Sequence, residues 1–147
     1  SCQGVDMTHD THHRQIHIER TAPKRLTAVN ARGGRLEMGT GDDANFSPTE
    51  LLLAALGGCT AIDVDVVTSR RAEPEEFGVQ VDAEKIRDDD GNRLTDLAIT
   101  FRIRFPEGEA GDAAREGLPE AVRQSHDRWC TVGRTVTVGT PSTVTIE

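Results

Sequence analysis

The sequence has few cysteines, no excess of basic residues and no apolar run of membrane-spanning length. Its 147 residues include three cysteines, Cys2, Cys59 and Cys130, and none of them forms a Cys-x-x-Cys pair. This number and spacing exclude the disulfide framework of a small secreted domain. In a reducing compartment, an isolated thiol is either a small apolar core residue or a group that performs chemistry.

The charge balance is acidic, with 25 Asp and Glu against 17 Lys and Arg and a formal net charge of −8. No block of arginine and lysine stands out as a surface for phosphate backbones. No apolar run reaches the roughly 18–20 residues of a membrane span, and the N-terminus lacks the pattern of a secretory signal. We therefore expect a cytoplasmic protein whose partners include neither nucleic acid nor a membrane.

The length is typical of one domain. We predict a single domain over residues 14–147, preceded by a tail over residues 1–13 that is disordered or foreign to a natural chain starting at Met7. The histidines in and near this tail are His9, His12, His13 and His17. Because a structural metal site needs fixed spacing and supporting groups around its ligands, we expect no metal and no cofactor.

The residue pattern predicts an α+β protein with the element order β-β-β-α-β-β-α-β. Alternation from Arg14 to "RLEMG" predicts a three-stranded meander, and "FGVQVDAEKI" with "LAITFRIRF" predicts a hairpin. Ser47, Pro48 and Glu50 predict the start of a helix that runs to about Arg71 and is apolar on every face in its first half. We further expect a short helix at "EGEAGDAAREG", a helix from Pro119 to about Asp127, and one or two strands in "TVTVGTPSTVTIE".

Two motifs in this chain resemble those of one protein superfamily. "SPTELLLAALGGCTAIDV" contains Cys59, and "RWCTVGRTV" contains Cys130, 71 residues later. Together they resemble the OsmC and organic hydroperoxide resistance (Ohr) superfamily, and "LLLAALGGC" is closest to its divergent OsmC-like branch. The resemblance covers nearly the whole chain after the first dozen residues. It implies an OsmC-like fold, an intertwined homodimer with a buried central helix between sheets, and two active sites at the subunit interface.

The resemblance also implies that Cys59 is the peroxidatic thiol and Cys130 the resolving thiol of an antioxidant stress-response enzyme. A thiolate that attacks a hydroperoxide becomes a sulfenic acid, a second thiol condenses with it to a disulfide, and an external dithiol reduces that disulfide. We expect Leu52, Leu53 and Leu56 to form an apolar wall. This wall would favour organic hydroperoxides over hydrogen peroxide, since each buried methylene gains about 0.8 kcal/mol.

Burial in apolar surroundings raises the pKa of a thiol, so the resemblance also implies an activating cation. In peroxidases of this family, an arginine before the central helix stabilises the thiolate, and a glutamate at the helix start holds the arginine. Arg35 is the preferred candidate, because it heads a strand leading towards the helix, and Arg32 is the alternative. The position of the family's glutamate aligns with Thr49, one residue before Glu50. Glu50 therefore has two open roles: it holds the arginine from this shifted position, or it pairs with Ser47 in a capping box.

A second function remains open, namely a non-catalytic OsmC-like dimer that binds an apolar ligand or senses redox state. Two features favour this non-catalytic dimer: Glu50 is displaced from the family's position, and Thr131 replaces a proline that is common after the second cysteine. The pair of cysteines favours the peroxidase. Asp63 lies one helical turn after Cys59, and its charge would disfavour a thiolate that it faced. His126 has no orienting partner in the sequence, and we expect it to be solvated.

Overall fold

The computed structural model describes residues 12–147. Most of the predicted tail, including Cys2, Met7 and His9, lies outside the described residues. The chain divides into two compact units, Ser1–Leu51 and Leu52–Glu147, and the boundary falls within a helix. The prediction of one domain over residues 14–147 stays a prediction.

The first unit contains the predicted three-stranded meander, which is confirmed. Its strands pair antiparallel in the order β1-β2-β3. The turn between the last two strands is closed by Asn30, whose side-chain oxygen accepts the backbone N–H groups of Arg32 and Gly34. Gly33 supplies the positive φ of 89° that this turn requires. The strand bounds are β1 (Ile16–Ala22), β2 (Arg25–Asn30) and β3 (Arg35–Met38).

Helix α1 (Pro48–Thr68) begins where the sequence predicts and ends three residues earlier than predicted. The Ser47 hydroxyl accepts the Glu50 N–H at 3.2 Å, and the Glu50 carboxylate accepts the Ser47 N–H at 2.9 Å. This reciprocal capping box satisfies two N–H groups that would otherwise lack partners at the helix start. After Thr68 the chain forms a turn ahead of Pro74, which explains the earlier end.

The burial of α1 is one-sided in the single chain, although its composition predicts burial on every face. Its buried residues lie on one stripe, namely Leu56, Gly57, Thr60, Val64 and Thr68. Ile62, by contrast, is 66% exposed. Glu50, Asp63 and Asp65 interrupt the apolar sequence, yet α1 is long and apolar enough to qualify as a possible membrane span. The core helix of a soluble protein meets the same criterion.

The second unit contains the predicted hairpin of long strands, β4 (Glu76–Asp88) and β5 (Gly91–Arg104), which is confirmed. The Asp88 carboxylate closes the hairpin turn by accepting the N–H groups of Asp90 and Gly91 at 2.9 and 3.1 Å. Its hydrogen bond with Arg93 lowers the pKa of Asp88. Gly57 of α1 lies against Val79 and Val81 of β4, so the helix packs closely on this hairpin.

Helix α2 (Glu109–Gln124) is one continuous helix, where the sequence predicts a short helix and a second one opening at Pro119. Proline is common at the first helical position. Here Pro119 lies inside the helix instead, because the helix has already begun after Gly108, whose φ is 114°. A π-helical turn (Ser125–Trp129) follows α2 directly.

The predicted last strand is wrong, because residues 131–138 form helix α3 (Thr131–Val138) and residues 139–147 form no strand. Alternating threonine and valine favour a strand, but a strand also needs a partner edge. Local hydrogen bonds favour the helix instead. At the start of α3, the Cys130 sulfur accepts the Gly133 N–H. At the end of α3, Gly139 follows with a positive φ of 79°.

Candidate functional site

The structure brings Cys59 and Cys130 together within the second unit. Cys59 lies on α1 and is half-buried, Cys130 is 3% exposed, and both are free thiols. Burial raises the pKa of the Cys130 thiol above its ordinary value, and a hydrogen bond with the Cys59 thiol raises it further. The two cysteines that the family resemblance implies as a redox pair are therefore near each other.

The backbone of Cys130 is held on both sides. Its N–H donates to the Ser125 carbonyl at 2.8 Å, which closes the π-helical turn, and its carbonyl accepts the Arg134 N–H at 2.9 Å within α3. Its sulfur caps α3 by accepting the Gly133 N–H at 3.2 Å. This last bond lowers the pKa of Cys130, opposing the effect of burial, because an N–H donor favours the thiolate. The sequence gives no sign of this cap, because the alternation after Cys130 favours a strand.

A chain of polar side chains joins the π-helical turn to α1. The Ser125 hydroxyl is fully buried, lies 2.8 Å from the Thr60 hydroxyl and donates to the Asp63 carboxylate at 2.7 Å. Thr60 and Asp63 lie one and four residues after Cys59, so this network adjoins the thiol pair. The negative charge of Asp63 contributes to the raised pKa of Cys130. Of this network, only Asp63 is indicated by the sequence, through its spacing from Cys59, since isolated hydroxyl residues carry no pattern.

A cavity of about 280 Å³ lies beside Cys130 in the second unit. Its apolar lining includes Leu56, as predicted, but neither Leu52 nor Leu53. His126 is a further lining residue, and its ring is 74% exposed and bonded to Asp127, as expected of a solvated residue. Among the described residues that line this cavity there is no lysine or arginine. The remaining apolar lining comes from Leu97, Ile99 and Val136.

The predicted activating groups, Arg35 and Glu50, lie in the first unit. Arg35 begins β3, is exposed, and pairs with Val29 across the sheet. Glu50 directs its carboxylate to the Ser47 N–H as a helix cap. The action of Arg35 or Arg32 on Cys59, and that of Glu50 on the arginine, stay predictions.

Comparison with known proteins identifies the family. The model of the OsmC-like protein family matches residues 39–147. An uncharacterized protein of Mycobacterium tuberculosis is 31% identical over 134 residues, which cover 90% of this chain and 94% of the relative. The chain therefore belongs to the OsmC-like protein family, and the resemblance in its sequence motifs is confirmed.

Solved structures support the same fold. An OsmC-like protein of unknown function from Vibrio cholerae matches with a TM-score of 0.67 and 12% identity, covering 84% of this chain and 92% of that one. The organic hydroperoxide resistance protein OhrB of Bacillus subtilis matches with a TM-score of 0.54 and 12% identity, covering 86% and 91%. These similarities confirm the predicted α+β, OsmC-like fold.

Proposed function

We propose that this protein is a thiol-dependent peroxidase that reduces organic hydroperoxides, with Cys59 as the attacking thiol and Cys130 as the resolving thiol. The effect of the Cys59 thiol on the pKa of Cys130, which indicates that the two free thiols are near each other, is the observation that supports this proposal most directly. Family membership adds support, because the family's fold is shared by a protein named for organic hydroperoxide resistance.

The proposed reaction has three balanced steps. The Cys59 thiolate attacks one peroxide oxygen, the O–O bond breaks, and the leaving alkoxide takes up a proton to become an alcohol, so that Cys59 becomes a sulfenic acid. Cys130 then attacks the Cys59 sulfur, the S–O bond breaks, and the hydroxyl leaves as water with the thiol proton. An external dithiol finally reduces the disulfide by thiol–disulfide exchange and is itself oxidised.

The apolar cavity beside Cys130 supports an organic substrate. An alkyl or aryl group placed against Leu56, Leu97 and Ile99 leaves water, and each buried methylene gains about 0.8 kcal/mol. Hydrogen peroxide carries no such group. The expected preference for organic hydroperoxides therefore follows from the lining, with Leu56 as the member of the predicted leucine wall that contributes.

The remaining parts of the proposal concern the cation and the assembly. We propose Arg35, with Arg32 as the alternative, as the cation that favours the Cys59 thiolate. Glu50 is the group that would hold this arginine when released from Ser47.

We also propose a homodimer that acts in the cytoplasm. Exposed apolar residues on α1, such as Ile62 and Val66, support a partner surface on this helix.

A second candidate is a non-catalytic dimer that binds an apolar ligand or senses redox state. The raised pKa of Cys130 and the lack of lysine and arginine among the described residues that line the cavity favour it. Neither feature activates a thiol, and both suit a binding cavity. Turnover distinguishes the two candidates, because a binding protein consumes no peroxide.

The test is peroxide consumption by the Cys2→Ser protein with dithiothreitol as reductant. We expect many equivalents of cumene hydroperoxide to be consumed, faster than hydrogen peroxide, and no catalysis by the Cys59→Ser variant. The Cys130→Ser variant is expected to react once and then turn over slowly. Equal consumption by the Cys59→Ser variant would contradict the proposal and favour the binding protein.

A further inference from the structure

We infer that Ser125 is a positioning residue for disulfide closure, because its hydroxyl holds the turn that carries Cys130 against the helix that carries Cys59. The inference rests on the proposed function and concerns its second step, in which Cys130 attacks the oxidised Cys59. Ser125 is assigned no contact with the reacting atoms. Its role is to hold the two sulfur-bearing segments at a fixed separation.

The side chain of Ser125 provides the contact with α1. Its hydroxyl is fully buried and bonds to Thr60 at 2.8 Å and to Asp63 at 2.7 Å. Because an ionised carboxylate can only accept, Ser125 gives its single proton to Asp63, and the Thr60 hydroxyl must donate to Ser125. The Ser125 hydroxyl therefore donates to Asp63 and accepts from Thr60. Both partners lie just after Cys59 in the same helix.

The backbone of Ser125 provides the contact with Cys130. Its carbonyl accepts the Cys130 N–H at 2.8 Å, and this bond spans five residues, as is typical of a π-helical turn. One residue thus links α1 through its side chain and Cys130 through its main chain. The same residue is also the start of the turn, so a shift of its side chain would move the backbone that carries Cys130.

Disulfide closure depends strongly on such placement. A disulfide needs a sulfur–sulfur distance of about 2.0 Å and a narrow range of Cα separations. Holding two groups in a reactive arrangement raises their effective concentration and therefore the rate of reaction between them. Without the Ser125 bridge, the turn keeps its covalent connection to α2 but loses its hydrogen bonds to α1. The Cys59 sulfenic acid would then persist for longer before Cys130 reaches it.

The chain offers a matched set of variants. Ser125→Ala removes the bridge, and Thr60→Val removes one of its two partners on α1. Thr68→Val is the control, because Thr68 is 2% exposed, close to the 3% of Thr60, while its hydroxyl bonds to Val64 within α1. The two threonine variants make the same chemical change in the same helix, and only one of them affects the bridge.

The experiment follows the fate of Cys59 in the Cys2→Ser background after one equivalent of cumene hydroperoxide. Dimedone traps the sulfenic acid, and mass spectrometry measures it together with the Cys59–Cys130 disulfide over time. We expect disulfide closure to slow by about tenfold or more in Ser125→Ala, with sulfenic acid accumulating, and by less in Thr60→Val. Peroxide loss in the first step should match the parent protein in Ser125→Ala and in Thr68→Val. Disulfide closure in Thr68→Val should also match the parent protein.

The outcomes separate the inference from the proposed function. If the parent protein forms neither sulfenic acid nor disulfide, the peroxidase proposal fails. Oxidised glutathione then supplies a peroxide-independent test, since Cys130 must also displace glutathione from Cys59. Equal closure in parent and Ser125→Ala, with either oxidant, overturns the inference. If Ser125→Ala does not fold, equal closure in Thr60→Val and Thr68→Val overturns it instead.

Discussion

Gly57 and Gly58 are adjacent residues of α1 in very different surroundings, which allows a sharp test of how the helix packs. A Cβ atom at residue 57 would lie 2.6 Å from a methyl carbon of Val81 and 3.5 Å from one of Val79. A Cβ atom at residue 58 would have no atom within 4 Å among the described residues, apart from its own helix and neighbours. We therefore compare Gly57→Ala with Gly58→Ala.

The magnitude follows from two opposing contributions. Both variants gain about 1 kcal/mol of helix propensity, because alanine loses less backbone freedom than glycine. At residue 57 the new methyl overlaps Val81, whose branched side chain has few rotamers, and such overpacking costs about 1–3 kcal/mol. For the single chain, without a partner subunit on α1, we expect Gly58→Ala to raise the free energy of unfolding by up to about 1 kcal/mol and Gly57→Ala to lower it by up to about 2 kcal/mol.

Urea denaturation of both variants beside the parent protein measures these changes, provided that the slope of each transition is unchanged. The informative quantity is the difference between the two variants, because the shared gain in helix propensity cancels. A Gly57→Ala variant as stable as Gly58→Ala, or more stable, would refute the close packing of α1 on β4.

Three further predictions concern the cap, the cavity and the thiol. Glu50→Ala should lower the free energy of unfolding by about 0.5–1 kcal/mol in urea denaturation, and Glu50→Gln by less, because glutamine retains an accepting oxygen. Leu56→Ala should lower it by about 2–5 kcal/mol and, if the proposed peroxidase activity holds, should shift the substrate preference towards bulkier hydroperoxides in competition assays, because it enlarges the cavity. Burial and Cys59 raise the pKa of Cys130, so the folded protein holds this proton more tightly than the unfolded chain does. The contribution of Cys130 to the free energy of unfolding is fully present below the ordinary thiol pKa of about 8.5, and it is lost as pH rises through the higher pKa of the folded state. The Cys130→Ser variant lacks this thiol, so its free energy of unfolding should fall less over the same pH range.

Local signals explain which parts of the fold the sequence predicts. Ser47 and Glu50 bond to each other within one helical turn, so the start of α1 can be predicted from four consecutive residues. The alternation in β4 and β5 is equally local, and it predicts the hairpin correctly. The alternation after Cys130 is as regular, yet it belongs to α3. A cysteine cap and Gly139 favour this helix, and no strand within residues 12–147 pairs with the segment.

The candidate site depends on contacts between distant parts of the chain. Cys59 and Cys130 are 71 residues apart, and only the family resemblance links them in the sequence. Ser125 carries no pattern at all, since its importance comes from a buried hydroxyl that meets Thr60 and Asp63 on another helix. The resemblance favours an apolar wall of Leu52, Leu53 and Leu56, but of these three leucines only Leu56, on the buried stripe of α1, lines the cavity.

The most direct test of the proposed thiol peroxidase is a non-reducing peptide map of the reduced Cys2→Ser protein after one equivalent of cumene hydroperoxide. Hydrogen peroxide and the Cys59→Ser variant serve as controls. We predict a Cys59–Cys130 disulfide within seconds, formed more readily with the organic peroxide. Thiols that stay reduced, or Cys130 oxidation that is as fast in the Cys59→Ser variant, would contradict it.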